Sequence, residues 1–473
     1  MLLIVIMRRN IRQHGRRPSQ RLPLGRAFLG FLLAGMVPAF GQATGEASVQ
    51  AAAASAQPLT ITLEEAIRRA EANEPSYAQA AAESRTAGLD RSITRAGLLP
   101  NVAYHNQALY TQGNGQQNQA GQGVGAQPSP KFIANNAVRE YASQAVVNET
   151  LGLGQVAGVR RADAAAARAA AEMEIARRGL VTAVTGLYYG SISADNRLAV
   201  AERANSEAAD FAGLTGKREQ AREAAHADTV KAQLVEQKRQ RELTDARVGA
   251  EKARLELAVL LFPDPRTPYA LAAAGDTAPL PSRSEVDRAA AKNNPELKSA
   301  LAALGVSNAD VLAARAAYLP GLGLNVTYGI DAPQFAVNGP DRVRNLGYSA
   351  SVTLDIPIWD WLATEHKVKQ SEIRRDAARV ALPATESRLI ARLDEAYSEA
   401  AAARDQLASL DASVATAAES LRLAKLRYAG GEALVLEVVD AQDAYVGAQN
   451  EREGGRVRYE TARADLESLT GKL

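Results

Sequence analysis

The 473 residues contain no cysteine. That absence removes disulfides, thiol nucleophiles, cysteine-ligated zinc and a lipid-modified N-terminal cysteine. Histidine occurs only at positions 14, 105, 226 and 366, too scattered for a histidine-built metal centre or a histidine base. Beyond the N-terminal region no stretch approaches the ~20 consecutive apolar residues of a membrane-spanning helix. Aromatic residues are 5% of the chain. The glycine-rich run at 113–125 lacks the preceding strand, lysine and Ser/Thr that a phosphate cradle needs. Serine, aspartate and glutamate are plentiful but fall on solvated helical faces. No enzyme chemistry, metal or cofactor is therefore expected.

Alanine, glutamate, arginine, leucine and glutamine dominate instead, a composition typical of long helices or coiled coils. The N-terminus reads as an export signal over 1–43. Seven arginines and no acid precede an apolar run at 27–40, followed by the small-x-small sequence Gly41-Gln42-Ala43. That apolar run is too short to span a bilayer. The initiating residue is Met1 or Met7. Without 1–43 the balance is 48 basic against 53 acidic residues, or −5. A mildly acidic exported chain is a poor binder of nucleic acid.

Residues 44–58, rich in alanine, glycine, serine and glutamine, read as a flexible mature N-terminus. A helix opens at Thr62, with Glu65 at capping-box spacing. It runs for roughly 36 residues to about Leu99, with a break risk at Pro75. Strand alternation follows Pro100: Val102, Tyr104, Ala108 and Tyr110 point one way, His105 and Gln107 the other. A Gln/Gly/Asn loop without apolar period spans 112–130. A less regular strand follows at about 137–148, with Tyr141, Ala145 and Val147 on one face. Helical pattern then runs from about 155 to 223, dips, and resumes over 228–261 before Phe262-Pro-Asp-Pro265 stops it.

The chain then repeats itself. The offset 295 − 75 between two prolines is 220, and 320 − 100 repeats it. After the first-copy loop the offset becomes 209, as in 397 − 188 for two tyrosines and 442 − 233 for two glutamines. The expected units are a first repeat at 59–265, a linker at 266–282 and a second repeat at 283–473. Each repeat holds a leading helix, two strands and a long helical hairpin. Pro383 falls inside the second long helix, where a kink is expected.

The second repeat has the cleaner strands. Leu322, Leu324, Val326, Tyr328 and Ile330 alternate with Gly323, Asn325, Thr327 and Gly329. Leu346, Tyr348, Ala350, Val352, Leu354 and Ile356 alternate with Gly347, Ser349, Ser351, Thr353 and Asp355. Apolar residues alternating with small polar ones suit a membrane β-barrel, lipid outside and water inside. A half-buried sheet packed on a helix is the competing reading. Four strands cannot close a barrel, and open edges cannot sit in lipid. The strand count therefore calls for several copies of the chain. Helices of this length, near 100 Å at ~1.5 Å per residue, would continue such a barrel as a tube.

Several motifs in duplicate order carry a resemblance. They are the joins at Ala96–Pro100 and Tyr318-Leu319-Pro320, the step Asp355-Ile-Pro-Ile-Trp-Asp360, and Arg427-Tyr428-x-x-Gly431 continuing into Glu437-Val-Val-Asp440-Ala-Gln442. Over 59–473 the chain resembles the TolC-like outer-membrane efflux proteins. The resemblance implies a mainly α fold with a membrane β-barrel contribution: a homotrimer whose four strands per chain close a twelve-stranded barrel above a long α-helical tunnel. It implies a passive exit channel in the outer membrane of a Gram-negative bacterium, exporting small toxic compounds. Its partners would be a periplasmic adaptor, a proton- or ATP-driven inner-membrane transporter, and outer-membrane lipid. A duct for secreted polypeptides, a periplasmic adaptor and a coiled-coil structural protein are the rivals.

The resemblance also assigns residues. Val102, Tyr104, Leu322, Leu324, Val326, Tyr328, Tyr348, Val352 and Leu354 would face lipid. The hairpin turns at 221–233 and 428–443 would form the periplasmic tip. There Glu437 and Asp440 match acidic positions facing the pore, with Asp228 as the first-repeat counterpart of Glu437. A plain solvated-face role for these acids is the alternative. Tyr428 and Gly431 would belong to the tip gate, with Ala433, Leu434 and Arg222 departing from the family pattern. Trp359 and Trp361 would be aromatics at the membrane interface or would pack the top of the helix.

Overall fold

Both prolines at the 220-residue spacing open helices rather than interrupt them. In the computed structural model, which describes residues 59–110, 117–119, 128–130, 139–272, 279–339 and 342–471, β1 (Leu59–Ile61) leads into α1 (Leu63–Asn73) and α2 (Pro75–Ala96). The export signal, the mature N-terminus at 44–58 and most of the 112–130 loop lie outside these residues. Glu74 ends α1 with extended ψ 116° and caps α2, accepting the Ser76 N–H at 3.4 Å. Pro75 sits where no helical N–H partner is required, and proline pushes its preceding residue out of the α region. The leading helix of roughly 36 residues is thus two helices of 11 and 22. Thr62 caps α1 as expected, its hydroxyl accepting the Glu65 N–H.

The strand β2 (Asn101–Tyr110) is followed by the three-residue pair β3 (Gln117–Gln119) and β4 (Pro128–Pro130), then β5 (Arg139–Leu151). A small antiparallel ribbon therefore stands within the loop expected to lack regular structure. Its prolines occupy a strand with a single neighbour, where a missing amide is tolerated. The long helix α3 (Leu153–Gln220) and the returning α4 (His226–Leu261) complete the first repeat. The link at 266–282 holds one further strand, β6 (Tyr269–Leu271), paired in parallel with β1. A linker reading missed it because three residues carry too little period to register.

The second repeat follows the same order: α5 (Arg283–Asn293), α6 (Pro295–Ala316), β7 (Gly321–Ala332), β8 (Leu346–Asp355), α7 (Ala363–Ala429) and α8 (Val435–Thr470). Ser282 and Glu285 form a complete capping box on α5, and Asn294 caps α6 by accepting the Leu297 N–H at 2.9 Å. Pro383 lies inside an unbroken α7 of 67 residues. The four longer strands make one antiparallel sheet in the order β2-β5-β7-β8, so the two repeats meet edge to edge at β5 and β7.

The duplication extends to the core. Ala66, Ala70, Leu180, Val184 and Leu257 pack with Ile61, Tyr188 and Phe262 in one cluster. Their repeat counterparts Val286, Ala290, Leu389, Leu393 and Leu466 form another. In the first cluster the Tyr188 hydroxyl lies 3.2 Å from the carbonyls of Ile61 and Ala272, joining β1 and the end of β6 to α3. Between the repeats, buried Arg178 on α3 donates to the Ser468 carbonyl at 2.7 Å and the Asn293 carbonyl at 3.3 Å. It thereby serves the C-terminal ends of α8 and α5, whose carbonyls have no partner within their helices. Gly471, at φ +75°, ends α8 against the same guanidinium, and a Cβ there would come within 2.7 Å of Arg178 Nη2. Arg178→Ala should cost about 1–3 kcal/mol by leaving buried carbonyls without a donor. Thermal unfolding of the purified protein would show it, with Arg178→Lys recovering part of the loss.

Candidate functional site

Cross-strand register separates the sheet into two chemically distinct faces. Directly paired residues share a face, because side chains alternate with period two. Leu354, Leu322 and Leu151 form one row, Val326, Val147 and Val102 another, and Tyr348, Tyr328, Ala145 and Tyr104 a third. Leu324 and Val352 pair on the same side. Every residue assigned to lipid from the sequence therefore lies on one face. The opposite face carries Asn325, whose side-chain amide donates to Asn148 at 2.5 Å, Thr327 and Ser349 with hydroxyls 2.5 Å apart, and Gln144, which donates to Asp331 at 3.1 Å. Gly329 is needed there: a Cβ would fall 2.2 Å from the Ser143 carbonyl oxygen of the adjoining strand.

The irregular strand β5 also brings polar groups to the apolar face. The Ser143 hydroxyl bridges the Tyr104 hydroxyl and the Asn106 side chain, each at 2.8 Å, so these groups satisfy one another. Glu149 stands opposite Leu324. Alternation alone did not single these residues out, since their face follows only from pairing register. Among the described residues the outer strands β2 and β8 each have one neighbour.

Where β8 steps into α7, Trp361 and Leu362 both adopt left-handed φ, 58° and 65°. Asp360 caps the helix by accepting the Thr364 N–H at 2.8 Å. Hydrogen bonds from the Thr364 side chain and backbone hold the Asp360 carboxyl below its usual range. Trp359 and Trp361 meet edge to face at 5.9 Å and remain 67% and 83% exposed. Within the chain neither packs the helix top.

At the other end of the long helices, the two hairpin turns follow one backbone plan with different residues. Gly431 has φ +79°, and its counterpart under the 209 offset, Arg222, has φ 67°. An L-residue in that region costs roughly 1–2 kcal/mol. Neither Ala225 nor Leu434, which precede α4 and α8, supplies a side-chain cap. Asp228 and Glu437 instead occupy the first turns, where a carboxylate favours the positive end of the helix dipole. Glu437 also accepts from Arg427 at 2.9 Å, so its charge is partly neutralised within the chain. Asp440 is exposed without an ion pair among the described residues, and Lys231 occupies its counterpart position. The acids are thus not an equivalent set.

Tyr428 is 6% exposed and sits in a cluster with Phe211, Val235 and Val438. Its ring meets Phe211 edge to face at 5.1 Å, and the Arg218 guanidinium lies 4.8 Å from the ring centre. Arg218 donates to the carbonyls of Tyr428 at 2.8 Å and Ala429 at 2.9 Å, at the C-terminal end of α7. Lys425 pairs with Glu207 at 2.6 Å. On the other side Asp443 of α8 pairs with Arg239, and with Lys238 at 3.0 Å, both on α4. Two sets of contacts therefore join the hairpins of the two repeats. Arg218, Phe211, Arg239 and Asp443 were not singled out from sequence. Their pairing crosses more than 200 positions and has no local period. Loss of the arginine in Arg218→Ala should weaken the α7 end by about 1–2 kcal/mol. Amide hydrogen exchange over 425–432 should become several-fold faster, with exchange in the β7–β8 pair unchanged.

Residues 288–472, nearly all of the second repeat, match the family model described as "Outer membrane efflux protein". Over 427 residues the chain is 26% identical to Protein CyaE of Bordetella pertussis, covering 87% of this chain and 84% of that protein. The fold superposes on a membrane protein from Pseudomonas aeruginosa with TM-score 0.69 at 22% identity, over 87% of this chain and 91% of the other. The CmeC outer membrane channel of Campylobacter jejuni gives TM-score 0.69 at 15% identity, over 86% and 85%. With the same ordered repeats, two-faced sheet and long hairpins on the page, residues 288–472 resemble the outer membrane efflux proteins and the whole chain has the fold of these channel structures.

Proposed function

We propose that the chain is the passive exit channel of a tripartite efflux system, carrying small toxic compounds across the periplasm and the outer membrane. The observation that supports this most is the sheet: one apolar face, one small polar face, and two outer strands with a free edge. An unpaired edge in hydrocarbon costs several kcal/mol per amide. Three copies would join β2 of one protomer to β8 of the next and close twelve strands. The apolar rows then meet lipid, and the Asn, Ser, Thr and Gly rows line a wet lumen. The nearly 70-residue helices, 68 in α3 and 67 in α7, extend ~100 Å. Three protomers would assemble them as a tunnel, with Trp359 and Trp361 at the periplasmic lipid interface. A periplasmic adaptor and an inner-membrane transporter would supply the docking and the energy, because the chain carries no motif for either.

The hairpin turns form the tunnel's narrow end in this reading. Tyr428, Gly431 and the Arg218 contacts hold it closed, and Asp440, Glu437 and Asp228 contribute negative charge to the mouth. Carboxylate rings raise the local cation concentration.

Deleting the gene should sensitise cells several-fold to small toxic compounds, restored by the intact chain, with polypeptide export unchanged. Unchanged susceptibility together with lost secretion of a polypeptide would instead favour a secretion duct. In planar bilayers Asp440→Ala should lower cation selectivity more than Glu437→Ala, whose carboxylate is already paired with Arg427. Absent effects would remove these acids from the pore, and equal effects would remove the role given to the Arg427 pairing.

A further inference from the structure

Gln233 and Gln442 occupy equivalent positions in the two repeats, yet they have opposite fates. Gln233 is exposed on α4, whereas Gln442 on α8 is 5% exposed, with neither its amide oxygen nor its amide nitrogen hydrogen-bonded within the protein. Gln442 borders a cavity of about 50 Å³ where four helices converge. Arg203 and Glu207 come from α3, Arg239 from α4, Leu421 from α7, and Tyr445 and Gln449 from α8.

An unpaired primary amide in a dry interior is costly, because both its donors and its acceptor lose their partners. A cavity holds water when it offers roughly 10–15 Å³ per molecule and two to four polar partners for each. This cavity has room for a few waters. Its polar partners are also at hand: Gln442 supplies both donor and acceptor, and the Tyr445 hydroxyl and Gln449 amide follow at helical spacing on the same helix. Arg239, itself 4% exposed, already spends its guanidinium on Asp443 and Glu242. Glu207 is likewise engaged by Lys425. With Arg239 and Glu207 committed to ion pairs, Arg203 is the remaining charge, exposed and donating to the Ala199 carbonyl, and Val200, Ala204, Leu421 and Val446 are the apolar part of the lining. The groups nearest Gln442 along α8, the Tyr445 hydroxyl and the Gln449 amide, are neutral and suit water.

We propose that this four-helix junction is a binding site for an internal water cluster anchored by the Gln442 amide. The cluster connects α8 of the second repeat to α3 and α4 of the first through hydrogen bonds rather than through apolar packing. The first repeat has no matching site, because Gln233 stands in solvent and needs none.

The test is a water-resolving density map of the intact purified protein, combined with thermal unfolding of Gln442→Met, a change of similar volume. Ordered water within hydrogen-bond distance of Gln442 and of a second polar group is expected. The Gln442→Met midpoint should be unchanged or lower, since the waters lose an anchor. A dry cavity, a direct protein partner for the amide, or a midpoint raised by several degrees would overturn the proposal. Gln233→Met is the matched control and should leave the midpoint unchanged.

Discussion

The backbone amides along the outer edges of the four-stranded sheet are the constraint on which the remainder depends. Inside the sheet, β5 and β7 satisfy each other across the repeat boundary, so duplication has produced a continuous antiparallel unit. The outer edges of β2 and β8 have no such partner among the described residues. Water can satisfy them and hydrocarbon cannot. The same sheet offers an apolar face that water disfavours. These two requirements conflict for a single chain in a membrane, and in the proposed channel copies that share their edges would reconcile them. The helices would then run side by side around the same axis.

The two repeats are alike where they fold and different where they would work. Their cores use the same positions, Leu180 with Leu389, Val184 with Leu393 and Leu257 with Leu466. Their helix starts use the same device, a capping residue followed by proline. At the hairpin turns the copies diverge. Glycine at 431 answers to arginine at 222, Asp440 to Lys231, and a buried Gln442 to an exposed Gln233. This divergence at the turns means that the two hairpins present different surfaces to each other. The Arg218 and Asp443 contacts use that difference: Arg218 has an arginine counterpart in Arg427, but its partner Tyr428 answers to Glu219, and Asp443 answers to Leu234.

Much of the architecture was legible before any coordinates. Thr62 as a cap, the strands after Pro100 and Pro320, and the hairpin turns after Gln220 and Ala429 all follow from local period and backbone chemistry. The break weighed at Pro75 is present, and the proline's fixed φ makes it the start of α2. The errors were local as well. The short strands at Gln117–Gln119, Pro128–Pro130 and Tyr269–Leu271 were too brief to show alternation. At the turns, Tyr428 was singled out, but the arginine that covers it was not.

By itself the sequence determined the longer elements, the strand faces and the repeat, because each rests on interactions among residues within a few turns or on a repeated pattern. Tertiary structure alone decided that β5 joins β7, that Arg178 serves two helix ends, that Glu437 is neutralised by Arg427, and that Gln442 is enclosed while Gln233 is not. Those outcomes depend on strand register and on the rotational phase of one long helix against another. A shift of one residue in register, or of about 100° in helix phase, would exchange the groups in contact while leaving every local pattern intact.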